Sequence, residues 1–413
     1  MLKVQPDQPL DARALGGRKA MKGTVPHCWI EERLLARNRV SQEFFPREAS
    51  RLAEACCRMA ERFLEGGRLL AFGRGPYATD AQHVSVEFLH PVIVGKRALP
   101  ALDLSLSFGP WLETIVQPQD TAMGFGPPEG DDRVEEALRK AQDKGALTFA
   151  LPGRRADYAT AAPSDDPFIH QEMIEILYHT LWETVHVFFE HKEVTPHDAG
   201  EASFLYPFLG DRRRDLAPVT LEVASSILSK AREDERLRVE AAKTCAATLA
   251  DCATAVAERL HRGGRIIAFG NGGSATDAND FALDCVTPPR RAMRPIPAVS
   301  LAMEPAVLTA VANDVGQELM FLRQLVAHAR SEDVAFAIST SGGSKNIIVA
   351  LEEARRRGML TIGLLGYDGG EIVRRQLVDF ALVVRCDYIP RIQEAQASLY
   401  HTLREALDQL LIE

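Results

Sequence analysis

From Leu221 to Gly263 apolar residues recur every three or four positions through "LEVASSILSKAREDERLRVEAAKTCAATLADCATAVAERLHRG". That is the period of a helix with one buried stripe, and the run ends at Gly263-Gly264, a pair suited to closing a helix. The rhythm then changes. "RIIAFG", "PIPAVSL", "VAFAIST", "LTIGLLG" and "FALVVRC" are short, nearly continuous apolar runs bounded by turn residues, as expected of strands buried on both faces. "KNIIVALEEARRRG" and "RIQEAQASLYHTLREALDQLL" return to helical spacing between or after them. Strands alternating with helices predict an α/β fold, a parallel sheet covered by helices on both faces.

The same pattern occurs earlier in the chain. "AERFLEGGRLLAFG" at 60–73 matches "AERLHRGGRIIAFG" at 257–270, and "ATDAQH" at 78–83 matches "ATDAND" at 275–280, both at an offset of 197 residues. "LYHTLWE" at 177–183 matches "LYHTLRE" at 399–405 at an offset of 222, so the second copy carries 25 extra residues in its middle. Two long matches in the same order make this a tandem duplication. The Pro-, Gly- and charge-rich stretch around "HKEVTPHDAGEASFLYPFLGDRRRDLAP" separates the copies. The expected organisation is an N-terminal extension over 1–40 with little core-forming pattern, a first domain over 41–195, a linker over 196–218 and a second domain over 219–413.

Composition narrows the class without naming it. Apolar residues at 46% and charged residues at 25% are ordinary for a soluble globular chain. A net charge of −9 argues against a nucleic-acid footprint, which needs clustered basic surface. No apolar run is long enough to span a bilayer and the N-terminus has no signal-peptide core, so no membrane partner and a cytoplasmic location are expected. Seven cysteines with no CxxC or zinc-ribbon spacing fit a reducing compartment.

Two loops carry candidate chemistry, both between a strand and a helix, where ligands of open α/β sheets gather. In "IIAFGNGGSATDAND", Asn271, Gly272, Gly273 and Ser274 stand at a strand's carboxyl end, where glycines let backbone N–H groups approach an anion. In "VAFAISTSGGSKNIIVALEEA", Ser339, Thr340, Ser341 and Ser344 bring four hydroxyls to a helix start. N-capping needs one such hydroxyl, so four point to a phosphate monoester.

Together "GNGGSATDA", "ANDVG", "ISTSGGS" and "RIQEAQASLYH", in that order, resemble the sugar isomerase (SIS) domain, and within it the phosphoheptose isomerase group. The resemblance covers nearly all of 220–413, and about 45–190 looks like a diverged copy. It implies two tandem flavodoxin-like domains, each with a parallel five-stranded sheet flanked by helices, and a phosphorylated sugar as substrate. It also implies that Asn271, Gly272, Gly273 and Ser274 line the sugar, that Asn313 and Asp314 contact its hydroxyls, and that Ser339, Thr340, Ser341 and Ser344 hold its phosphate. Gln393 would touch substrate and metal.

The family's zinc is held by His, Glu, Gln and His. By resemblance these fall on His83, Glu87, Gln171 and His179 in the first copy, His83 and Glu87 sharing one helical face at i, i+4. In the second copy the positions read Asp280, Asp284, Gln393 and His401. The phosphate side is reversed: the first copy has "GRGPYATD", with Pro76 lacking a donor and Tyr77 in place of serine, and "MGFGPPEGDDRVEEAL", with acids and no serine. The first copy thus keeps a metal and acid–base set and the second a phosphate cradle. One competent site could combine both; the alternative is a first copy that is a structural partner only.

The expected activity is aldose–ketose isomerisation of a sugar phosphate, sedoheptulose 7-phosphate to D-glycero-D-manno-heptose 7-phosphate, through an enediol. Glu87 or Asp284 would be the base, His179 or His401 its acid–base partner, and a divalent metal, zinc by resemblance, would polarise the carbonyl. A homodimer of two-domain chains would imitate the family's four-domain assembly. The competing expectation is a non-catalytic SIS module that senses sugar phosphates or binds a partner such as a replication initiator.

Overall fold

The computed structural model describes residues 23–91, 96–192 and 217–411. Each half opens on a long helix, α1 (His27–Leu64) in the first and α6 (Ala217–His261) in the second. The first half continues through β1 (Leu69–Phe72), α2 (Ala78–Leu89), β2 (Ala101–Asp103), α3 (Phe108–Ile115), β3 (Thr121–Phe125), α4 (Asp132–Asp143), β4 (Leu147–Leu151), β5 (Tyr158–Ala159) and α5 (Pro167–Lys192). The second has β6 (Ile266–Phe269), α7 (Gly273–Val286), β7 (Ala298–Ser300), α8 (Pro305–Asp314), α9 (Met320–His328) and β8 (Val334–Ser339). It ends with α10 (Lys345–Arg356), β9 (Leu360–Gly366), α11 (Gly370–Arg374), β10 (Phe380–Val384) and α12 (Ile389–Leu410).

Each half is a parallel five-stranded sheet, in the orders β2-β1-β3-β4-β5 and β7-β6-β8-β9-β10. Both follow the flavodoxin-like order, whose switch point lies beside the first strand. Every residue of β1, β3, β4, β6, β8 and β9 is buried, which is why these segments read as unbroken apolar runs.

Strand register locates the second copy's extra residues. Thr121 pairs with Leu69 and Val334 with Ile266, so the offset has grown from 197 to 213 by the third strand, placing 16 of the 25 where α9 stands. The remaining nine lie after β9, where α11 and a longer β10 replace the two-residue β5.

The two long helices exchange their first halves. Ile30 and Leu34 of α1 are buried in the core of the second sheet, while Phe44 to Phe63 pack in the core of the first. Reciprocally, Val219, Val223, Ile227 and Ala231 of α6 enter the first core, and Ala241 to Ala257 the second. At the crossing Asn38 donates to the Glu235 carbonyl (2.9 Å) and Arg238 to the Asn38 amide oxygen (3.3 Å). The boundary at 40/41 is therefore corrected: residues 27–40 are the first half of α1, and their apolar stripe belongs to the other copy's core. The expected linker falls almost wholly outside the described residues, as does the chain before residue 23. Among the described residues no helix is long and apolar enough to cross a membrane.

Candidate functional site

Helices α2, α5, α7 and α12 meet between the sheets, and His83, Glu87, Gln171, His179, Asp280, Asp284, Gln393 and His401 are buried there. His83 comes from α2 and His179 from α5, with Nε2 atoms 3.3 Å apart. The Nδ1 of His179 faces Glu394 Oε1 at 3.0 Å, and that of His83 faces Asp277 Oδ1 at 3.5 Å. A carboxylate at Nδ1 fixes the proton there and leaves Nε2 its lone pair, as at a metal-binding histidine. Burial depresses both rings, His83 beside His179 well below the usual range and His179, near the Arg391 cation, to about 3, so both are neutral.

Other polar atoms converge without partners. Glu87 Oε1 lies 3.8 Å from His83 Nε2, and neither of its oxygens has a hydrogen bond. Burial, with Glu183 and Glu394 nearby, pushes its carboxyl up to about 8. Gln393 Nε2 is 3.2 Å from His83 Nε2, and its Oε1 is unpartnered. Two neutral imidazoles, an unbonded carboxylate and a free amide oxygen form a donor set that fits a divalent metal.

Gln171 does not belong to this set. It donates to Asp280 Oδ1 (2.9 Å) and Asp80 Oδ2 (3.2 Å) in a second cluster. The reason is helix geometry: eight residues separate Gln171 from His179 on α5, about 12 Å of axial rise. Gln393 of the other copy fills the place beside His83.

The second cluster is the counterpart by the repeat and has a different chemistry. His401 Nε2 faces Asp280 Oδ2 (3.3 Å) and Asp284 Oδ2 (3.2 Å), and its Nδ1 faces Glu172 (2.9 Å). Burial alone would push this ring down, but hydrogen bonds to Asp280, Asp284 and Glu172 hold it well above the usual range. Asp280 also accepts from Thr79, Gln171 and Tyr400. Burial and Asp280 push Asp284 up to about 7. His401 is thus an imidazolium held among three carboxylates, and Asp280, Asp284 and His401 also converge closely enough to hold a metal ion, with neither Asp284 oxygen hydrogen-bonded.

The loops follow the same asymmetry. At Gly273, the first residue of α7, an added Cβ would stand 1.9 Å from Gln393 Nε2 and 2.7 Å from His83 Nε2. The second copy's glycine loop therefore lies against the first copy's histidine. Asn271 and Asn346 exchange amide hydrogen bonds (3.0 and 2.8 Å), tying this loop to the serine loop. There Ser339 Oγ accepts from Gly342 N (3.1 Å) and Ser341 Oγ from Gly343 N (3.2 Å), while Ser344 opens α10 with its hydroxyl unused as a cap. Thr340 is half-buried; Ser274 is buried at the start of α7. Asn313 and Asp314 end α8, exposed and bonded to each other (2.8 Å), with no bond to these loops among the described residues.

In the first copy Pro76 occupies the place of Gly273, and Tyr77, 6% exposed, packs on His170 where Ser274 would be. Asp131 caps α4, accepting from Arg133 N and Val134 N and pairing with Arg74 at 2.8 Å. An internal carboxylate already fills that helix N-terminus.

Sequence reasoning missed Glu394 and Asp277, which orient the histidines, and Glu172, which charges His401. The shared "QE" of "HQE" and "IQE" was the available signal for the two glutamates. It also missed Asn346 and Glu175, the latter grouped with His83 and His179 as a possible metal ligand.

A SIS-domain family model matches residues 232–366. The phosphoheptose isomerase of Thermodesulfovibrio yellowstonii is 36% identical over 193 residues, 47% of this chain and 95% of that protein. The phosphoheptose isomerase of Nitratiruptor sp. is 44% identical over 152 residues, 37% of this chain and 80% of that protein. Among solved structures, the C-terminal domain of glucosamine-fructose-6-phosphate aminotransferase from Francisella tularensis superposes with a TM-score of 0.58 at 10% identity. It covers 88% of this chain and 93% of that one, a likeness of fold.

Proposed function

Since the chain belongs to the SIS-domain family, as a tandem repeat of the phosphoheptose isomerase type, we propose that it is a sugar-phosphate aldose–ketose isomerase with one complete site per chain, shared by both copies. The observation that carries this reading is the contact of Gly273 with His83 and Gln393. It sets the second copy's phosphate cradle beside the first copy's open donors. The other pairing joins Tyr77 and Asp131 to the His401 ion cluster, and we assign it a structural role.

In this reading Ser339, Thr340, Ser341 and Ser344 hold the phosphate, and Asn271, fixed by Asn346, orients the sugar over Gly272, Gly273 and Ser274. Asn313 and Asp314 would reach the sugar hydroxyls from the end of α8. Glu87 carries the proton between the two carbons, its carboxylate oxygens being buried and free of hydrogen bonds. His179, its Nδ1 held by Glu394, turns Nε2 and its lone pair into the site. His83, Glu87 and His179, joined by Gln393, would hold a divalent metal, zinc by family resemblance, which when bound polarises the carbonyl and steadies the enediolate. Asp284 and His401 are left out of the chemistry, because an imidazolium facing three carboxylates has no free position for a substrate proton.

The proposed reaction converts sedoheptulose 7-phosphate to D-glycero-D-manno-heptose 7-phosphate. The proposed assembly is a homodimer: no residue of α8 is buried, and Met303, Val307 and Val315 expose apolar surface there. The test is an NMR time course of zinc-loaded protein with sedoheptulose 7-phosphate, repeated after chelation. Aldose signals that grow and then stop on chelation support the proposal. Binding without turnover would transfer the reading to a sugar-phosphate sensor.

A further inference from the structure

Between the two clusters lies a small cavity of about 10 Å³, room for one water-sized body, and every residue lining it is buried. Its wall is paired by the repeat: Thr79 with Thr276, Asp80 with Asp277, Tyr178 with Tyr400. It therefore straddles the axis relating the copies. Glu175 and Asp280 complete its acids, His83 and Gln171 complete its wall, and no lysine or arginine lines it.

Four carboxyl groups in one buried wall must be neutralised, by protons or by a cation, and burial pushes Asp80, Glu175 and Asp277 well above the usual carboxylate range. Asp280 is already satisfied by Thr79, Gln171, Tyr400 and His401, and Asp80 accepts from Gln171. Glu175 Oε1 and Asp277 Oδ2 have no hydrogen-bond partner, on side chains only 4% and 2% exposed. Glu175 has no acidic counterpart, because the second copy carries Ala397 at that position. This unshared acid adds a carboxyl group on the axis and brings no partner for its Oε1.

We infer that the cavity binds one hard divalent cation of the Ca²⁺ or Mg²⁺ class, held by Glu175, Asp277 and Asp80 with the hydroxyls of Thr79 and Thr276. The cavity adjoins the histidine cluster, since Glu175 also lies within reach of His83 and His179, but its donors are of a different kind. Carboxylate and hydroxyl oxygens suit calcium and magnesium, whereas imidazole nitrogens suit zinc. The cation joins α2 and α5 of one copy to α7 of the other. Through Asp277, 3.5 Å from His83 Nδ1, it also fixes the orientation of that ring.

The test is calorimetric titration of the chelator-stripped, folded full chain with CaCl₂ and, separately, MgCl₂, with thermal unfolding alongside. One equivalent per chain of at least one cation is expected, with a melting midpoint that climbs as its concentration rises. His179→Ala should keep this response, so failure of the catalytic-metal reading and of this one are distinguishable. Glu175→Ala, which installs the residue found at the paired position, should abolish it. Without cation the same variant should melt above the wild type, having lost an unpaired buried acid. Asp277→Asn should weaken binding at least tenfold. No binding of either cation at millimolar concentration by folded wild type overturns the inference, as does binding unchanged in both Glu175→Ala and Asp277→Asn.

Discussion

Gly273→Ala tests the composite site with a single methyl group. Gly273 opens α7 and lies outside the left-handed region that only Gly272 adopts in this loop (φ +57°). By backbone preference alone alanine would stabilise the helix by about 0.4–1 kcal/mol. The new Cβ would instead sit 1.9 Å from Gln393 Nε2 and 2.7 Å from His83 Nε2. Ordinary contact begins at 3.4 Å, so the amide must retreat about 1.5 Å and the imidazole about 0.7 Å. Misplacing a reacting group by about 1 Å costs roughly 100-fold in rate, so kcat/KM should fall at least about 100-fold, or about 2.7 kcal/mol of transition-state stabilisation. Overpacking of about 1–3 kcal/mol, partly offset by the helix preference, should leave the chain folded. The assay is the initial rate of aldose formation with zinc present, beside a thermal melt. Pro76→Ala, at the paired position, should leave the rate unchanged. A folded Gly273→Ala protein that keeps kcat/KM within about twofold would show that the second copy's loop and the first copy's histidine do not share a site, and the composite reading would fail.

The two histidine clusters should respond in opposite ways. His179→Gln should lower kcat/KM by about 10²–10⁴ with little change in melting temperature, whereas His401→Gln should destabilise by about 3–5 kcal/mol by leaving buried carboxylates unpaired; equal effects in both assays would refute the assignment. Ser341→Ala and Ser344→Ala should each raise KM for the sugar phosphate about tenfold or more and leave kcat within a few-fold, since a hydrogen bond to a charged group is worth about 1.5–3 kcal/mol; an unchanged KM removes the serine loop from the substrate. In chelated protein, Glu87 titrates near 8 when folded and at 4.5 when unfolded. Its raised value means full stability below 4.5 and a loss as pH rises through 8, at most about 5 kcal/mol from this group. Urea midpoints should therefore drop from pH 6 to 9. Glu87→Gln or added zinc should flatten that drop, and a slope unchanged in both would show Glu87 to be unperturbed.

The fold was legible because parallel strands buried on both faces leave unbroken apolar runs, and all five such runs of the second copy became strands. The α1 boundary was not, because Ile30 and Leu34 satisfy a core more than two hundred residues away. In a chain whose long helices exchange halves, local pattern reports that a residue is buried and not against which copy. The metal set failed at Gln171 for a related reason. Resemblance assigns ligands by position in one copy, while two side chains eight residues apart on one helix cannot close on one ion. That spacing is visible in the sequence, and it requires a second helix to supply the missing ligand. What spacing could not supply is which copy that helix comes from, since only the packing of α5 against α12 sets Gln393 beside His83.

Tandem fusion explains why such asymmetry can persist. In an assembly of identical chains, each substitution appears at every symmetric site, so replacing the first histidine by aspartate would remove all of them. Here Asp280 and His83 occupy paired positions but are encoded separately. The aspartate converts one site into an ion cluster, in which Asp280 alone draws on Thr79, Gln171, Tyr400 and His401 across both copies. The neighbouring changes are consistent with that conversion. Pro76 and Tyr77 are buried immediately before α2, and Asp131 caps α4 with its own carboxylate. His83 and His179 are neutral because they are buried, and Gln393 and Glu394 of the other copy lie against them. The paired histidines and the ion cluster are thus both built by side chains of the two copies at a single interface.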